Sequence, residues 1–134
     1  EHSYIRDYVK AIATGKDWIE NKLLYWKGYA EMLLGEEELY QKKFPDEPIN
    51  DYQYLRKALG NFIIAAVNEL MPLPANAEEN FDFYWHVIDF IEHKLDMLAR
   101  SSSNNQLTDI LNDYTNQLKS GVSIEKITGY KAVE

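Results

Sequence analysis

His86, Asp89 and His93 stand at i, i+3 and i+7, so a helix carries all three on one face. Nitrogen and oxygen donors in that set suit zinc or a related ion. The carboxylate-bridged di-iron pattern needs Glu-x-x-His on two helices, and here one helix holds both histidines while the third, His2, sits at the chain end. At 100° per residue the apolar arc of this helix contains Phe83, Tyr84, Val87, Ile88, Phe90, Ile91, Leu95 and Leu98. The histidines fall at and beyond its edge, so a solvated polar face is expected and no metal is assigned.

Other chemistry has little to rest on. The chain has no cysteine, which removes thiol nucleophiles, thiolate metal sites and disulfides together. Its six glycines are scattered, without a phosphate-binding loop, and there is no Gly-x-Ser-x-Gly elbow. General-base catalysis would fall to carboxylates, whose separations the sequence does not fix. The expectation is a protein that is not an enzyme and carries no cofactor.

The same helical projection singles out Trp85. Phe83 and Tyr84 point inward, whereas Trp85 falls among Asp82, Asp89, Glu92 and Asp96. An indole ringed by carboxylates has the character of an interface anchor, because Trp is enriched at binding hot spots. These five residues are the expected partner-binding set; the competing expectation is that Trp85 packs on a neighbouring helix or loop. A second acidic concentration, Glu36-Glu37-Glu38 with Asp46 and Glu47, lies near Tyr40, Phe44, Tyr52 and Tyr54, and reads as a solvated helix end and loop.

Gly121-Val122-Ser123, followed by Ile127, resembles the turn of a helix-turn-helix over about fifteen residues. Gln117 occupies the place where that motif wants a small residue, and Gly129 shortens the would-be recognition helix. Only Lys119, Lys126 and Lys131 supply positive charge there, so a plain cap and turn is expected.

The elements that must position these residues are helical. The clearest runs from about Asp51 to Met71, with Leu55, Ala58, Leu59, Phe62, Ile63, Ala66, Val67 and Leu70 on one stripe. Asn50 and Gln53 form a capping-box pattern at its start, and Pro72 and Pro74 end it. The next begins at an Asn76 cap, with Glu79 at the reciprocal position, and reaches about Arg100 before the polar loop Ser101–Asn105. A further helix spans about Gln106 to Lys119, with Leu107, Ile110, Leu111, Tyr114 and Leu118 on one face and Gly121 as its stop. Ser123–Ile127 forms a short last helix before Gly129 and a loosely held tail.

The N-terminal third gives a segment from Ser3 to about Ala13, a break at Thr14-Gly15, and a restart near Asp17. The restarted helix extends to about Lys43, with Trp18, Ile19, Leu23, Trp26, Ala30, Leu33 and Leu34 on a broad stripe. No hairpin signal and no fixed-period repeat is present. The chain is therefore expected to be one all-α domain over residues 1–134, a compact antiparallel helical bundle or irregular helical array of four to six helices.

Bulk properties fix the remaining expectations. With 134 residues and 46% hydrophobic content the chain can build a core unaided. Its longest apolar run, Phe62–Val67, is far short of the ~20 residues of a membrane span. The net charge is −8 and no segment is basic, so counterion-release binding to nucleic acid has no footprint. An acidic surface steers toward basic partners. The expected function is a non-catalytic, cytoplasmic protein-binding domain, of the kind that masks a basic toxin or nuclease as an immunity protein does. The alternatives are a helical regulatory or DNA-associated domain of a longer protein, and a metal-dependent hydrolase or sensor using His86, Asp89 and His93.

Overall fold

The computed structural model describes residues 15–100 and 105–132. Helix α1 spans Lys16–Lys43, α2 Asp51–Leu70, α3 Phe81–Arg100, α4 Asn105–Lys119 and α5 Ile124–Thr128, with a 3-10 turn at Ala77–Asn80 before α3. The described residues contain no strand. They form the compact all-α array expected from the periodicities. The expected segment from Ser3 to Ala13, and residues 101–104 of the polar loop, lie outside the described residues. Among those described, no helix is long and apolar enough to cross a membrane.

Helix α2 is the central element, packing most extensively on α1 and α4. All eight residues of its apolar stripe are buried. Both halves of its capping box form: the Gln53 amide donates to Asn50 Oδ1 at 2.9 Å and the Asn50 amide to Gln53 Oε1 at 3.0 Å. At the other end the Met71 amide still bonds to the Val67 carbonyl at 2.9 Å, and Pro72 prevents any further turn.

Helix α1 meets α2 at close range, because Gly60 lets the backbones approach. A Cβ there would lie 2.9 Å from Leu34 Cγ and 3.2 Å from the Ala30 carbonyl oxygen. Further along the same interface Arg56 of α2 reaches the acidic end of α1. Its Nη2 lies 2.7 Å from Glu36 Oε1, and its Nε 3.7 Å from Glu37 Oε2. Glu37 is only 7% exposed, so part of the acidic run expected at a solvated helix end is instead an inter-helix contact. A lone buried carboxylate is costly and a guanidinium beside it offsets that cost.

Two local expectations are replaced by different geometry. Asn76 does not cap through its side chain. Its backbone, at φ −93° and ψ 20°, is outside the extended region an N-cap requires, and residues 77–80 tighten into the 3-10 turn instead. On α4, Ile110 is 45% exposed, while Thr108 and Thr115 are buried in the face it was expected to share. Thr115 avoids an unpaired hydroxyl by donating to the Leu111 carbonyl at 2.9 Å.

Helix α4 ends at Gly121, in the left-handed region at φ 96°, with the Val122 amide returning to the Gln117 carbonyl at 2.9 Å. Ser123 then caps α5, which holds five residues, little more than one turn, before Gly129 stops it at φ 81°. Beyond it Tyr130 stacks on His86 at 4.2 Å, and the Ala132 amide donates to Glu125 Oε2 at 2.7 Å.

Candidate protein-binding cleft

The start of α1 places the first site residue. Gly15 at the N-cap has no side chain to offer, and the Lys16 amide donates instead to Glu78 Oε1 of the 3-10 turn at 3.2 Å. A carboxylate there also complements the positive end of the helix. This contact fixes Trp18, in the first turn of α1, close to Phe81 and Trp85 on α3. The rings of Trp18 and Trp85 stack with centroids 5.4 Å apart and planes 14° from parallel. Phe81 closes the group at 5.4 Å from Trp18 and 5.8 Å from Trp85.

Trp85 is therefore partly buried and packed on the neighbouring helix rather than standing out from α3. The projection placed it on the correct side of α3. What the projection lacked is that α1 crosses that side and brings an indole of its own.

One turn beyond Trp18, Lys22 extends toward α3. Its Nζ lies 3.4 Å from Glu92 Oε2 and 5.9 Å from the centre of the Trp18 ring. Trp26 Nε1 donates to the same Glu92 oxygen at 3.2 Å. Glu92 thus draws two donors from successive turns of α1, a cross-link between the helices. Both charges of the Lys22–Glu92 pair keep more than a third of their side-chain surface in solvent, so it is worth at most about 1 kcal/mol.

Between the two helices lies a cleft of about 270 Å³ lined by Trp18, Lys22, Trp85, Ile88, Asp89 and Glu92. Trp85, Ile88, Asp89 and Glu92 fall at i, i+3, i+4 and i+7, one face of α3. A shallower groove of about 470 Å³ shares Trp18 and Lys22 and is otherwise lined by Asn21, Tyr25 and Trp26. Of the five residues expected from sequence, the cleft gathers Trp85, Asp89 and Glu92. Asp82 is exposed and does not line it, and Asp96 pairs with Arg100 at 3.2 Å.

Sequence reasoning missed Trp18, Lys22 and Ile88 as lining residues, and Trp26 as the donor to Glu92. Trp18 and Trp26 were visible as part of the broad stripe of α1. Two tryptophans eight residues apart on a helix, facing one on another, were the available signal.

The histidine set does not assemble around a metal position. His86 is occupied by its stack on Tyr130, His93 is exposed, and Asp89 lines the cleft. Among the described residues no three His, Asp or Glu side chains are placed to hold an ion. On another part of α3, burial raises the Tyr84 hydroxyl above its ordinary value, reinforced by Glu69 and Glu125. Burial likewise raises Glu69, with Glu125 adding repulsion against a backbone bond from Ile124 that opposes both. The cleft presents two stacked indoles, an ammonium and the carboxylates of Asp89 and Glu92.

Comparison with known proteins finds no family model, no curated relative and no solved structure that matches this chain.

Proposed function

We propose that the protein is a non-catalytic binding domain that engages a basic protein through the α1–α3 cleft, masking the surface it covers. The observation that carries this reading is the convergence of Trp18 and Trp85 with Asp89 and Glu92 on one accessible concavity. Aromatic anchors surrounded by charge are the composition of interface hot spots. A net charge of −8 supplies long-range attraction for a cationic partner, which raises the encounter rate more than the final affinity. An inhibitor of a basic toxin or nuclease is the form of this reading that fits the size and charge best.

The test compares two baits in extracts of the native source. One is the unaltered protein and the other carries Asp89→Lys with Asp96→Lys, which reverses charge along α3 and keeps both tryptophans. A basic protein retained by the first, lost from the second and released by moderate salt is the expected result. Equal recovery on both baits would refute the reading.

A further inference from the structure

We propose that the outward face of α1 is where two copies of this chain pair, antiparallel, about a two-fold axis beside position 30. Asn21, Tyr25, Gly28, Met32, Gly35 and Leu39 follow one another at alternating steps of four and three, so they form one stripe about 27 Å long. The stripe lies opposite the face of α1 that buries Ile19, Leu23, Ala30 and Leu33 in the core. None of its residues lines the α1–α3 cleft, and the proposal does not depend on what the cleft binds.

A helix face turned to solvent ordinarily carries charge. In a chain that is 27% charged, these six positions carry none. Tyr25 is 63% exposed, Met32 46% and Leu39 68%, and Leu24 beside them is 50% exposed. Two glycines stand between the large side chains. A glycine inside a helix weakens it relative to alanine, and at Gly28 and Gly35 an added Cβ would meet nothing within 4 Å. Packing within one chain, which explains Gly60, therefore gives no reason for either of them. A second helix lying along the stripe does, because its side chains need the room that a missing Cβ leaves.

The stripe is complementary to itself. With two copies antiparallel about position 30, Met32 of each lies over Gly28 of the other, Tyr25 over Gly35 and Leu39 over Asn21. A larger side chain meets a smaller residue at every level, and each contact occurs twice, as a two-fold axis requires. The charges at the ends select this direction. Asp17 is in the first turn of α1 and Lys42 and Lys43 are in its last, so antiparallel pairing sets Asp17 of each copy beside Lys43 of the other. Parallel pairing would set like charges together and leave glycine over glycine. One helix per copy makes a small contact, of the class below about 1,200 Å² that associates reversibly. The net charge of −8 on each copy, with Glu31 at the edge of the stripe, opposes pairing, and salt screens that repulsion.

Sedimentation equilibrium of the full chain in about 0.15 M salt tests this. The average mass should rise from monomer toward dimer with a dissociation constant on the order of 100 µM. Met32→Glu places a carboxylate in the contact but, within one chain, changes only an exposed position; it should weaken pairing more than tenfold. Gly28→Ala should weaken pairing about tenfold while raising the melting temperature of the dilute protein, opposite effects of one methyl group. The chain has no cysteine, so engineered thiols report the direction. Asn21→Cys mixed with Leu39→Cys should form a disulfide between the two chains, and Leu39→Cys alone should not.

A chain that stays monomeric up to about 1 mM overturns the proposal, whatever else covers the stripe. A dimer that Met32→Glu leaves intact places the contact on another face and overturns it as well. Tighter pairing of Gly28→Ala would remove the packing of Met32 over glycine, and a Leu39→Cys chain that cross-links to itself would make the pair parallel; either result sinks the arrangement.

Discussion

The stack of Trp18 on Trp85 makes a stability prediction that differs from what α3 alone implies. Viewed as an anchor standing out from the helix, Trp85 would be removable at no cost to the fold. In the structure it contacts Trp18 at 5.4 Å and Phe81 at 5.8 Å, and it is partly buried. Truncating a fully buried Trp to Ala costs about 3–5 kcal/mol, so a partly buried one should lose about 2–3 kcal/mol. Trp18→Ala, which breaks the same stack and the contact with Phe81, should lose a similar amount.

For a chain of 134 residues the unfolding entropy near the midpoint is about 0.28 kcal/mol per kelvin, so each single variant should melt roughly 7–11 °C lower. The double variant should lose less than the two single losses added together, by about 1 kcal/mol, the worth of an aromatic pair beyond its buried area. Calorimetric melting of the four proteins measures all three quantities. Additivity within about 0.3 kcal/mol, or a Trp85→Ala midpoint within about 2 °C of the unaltered protein, would show that the two rings do not pack as described.

Two further stability measurements probe the scaffold. Gly60→Ala should destabilise by about 1 kcal/mol, because a Cβ 2.9 Å from Leu34 Cγ and 3.2 Å from a backbone oxygen overpacks the α1–α2 contact by more than the helix gains. Gly28→Ala has nothing within 4 Å and should stabilise by up to about 1 kcal/mol, so equal melting of the two variants would contradict the close approach. Glu69 has its proton affinity raised by burial, so its contribution favours the fold below the unfolded carboxyl pKa and is lost as pH rises through the folded one. Glu69→Gln should therefore be more stable than the unaltered protein at pH 7 by less than about 0.5 kcal/mol. That margin should shrink toward pH 4, and denaturant melts in which it grows with acidity would reverse the assignment.

Much of the fold was legible because its signals are local. Asn50 and Gln53 sit three residues apart and cap the helix they begin, and the stripe from Leu55 to Leu70 needs only a period of 3.6 to show its buried face. Ile110 failed for a reason that periodicity cannot contain. Whether the edge of an apolar face is covered depends on which helices reach it, and at α4 two threonines take the buried positions. The same limit governs the cleft. Trp85, Asp89 and Glu92 of α3 were identified from one helix, but Ile88 was read only as core, and Trp18 and Lys22, with Trp26 bonded to Glu92, come from 60 to 70 positions earlier in the chain, a distance over which sequence spacing says nothing about contact.

The bond from the Lys16 amide to Glu78 joins groups 62 residues apart. Helix α1 carries Asp17 in its own first turn, but the carboxylate that bonds its first amide comes from the turn that launches α3. Its opening turn is thereby a long-loop contact, made at the entropic cost of closing a separation of 62 residues. Trp18 rides on that turn. Hydrogen exchange at the first amides of α1 should accordingly report on the assembly of the α1–α3 pair rather than on the helix they belong to, and Glu78→Ala should loosen the cleft from a point it does not line.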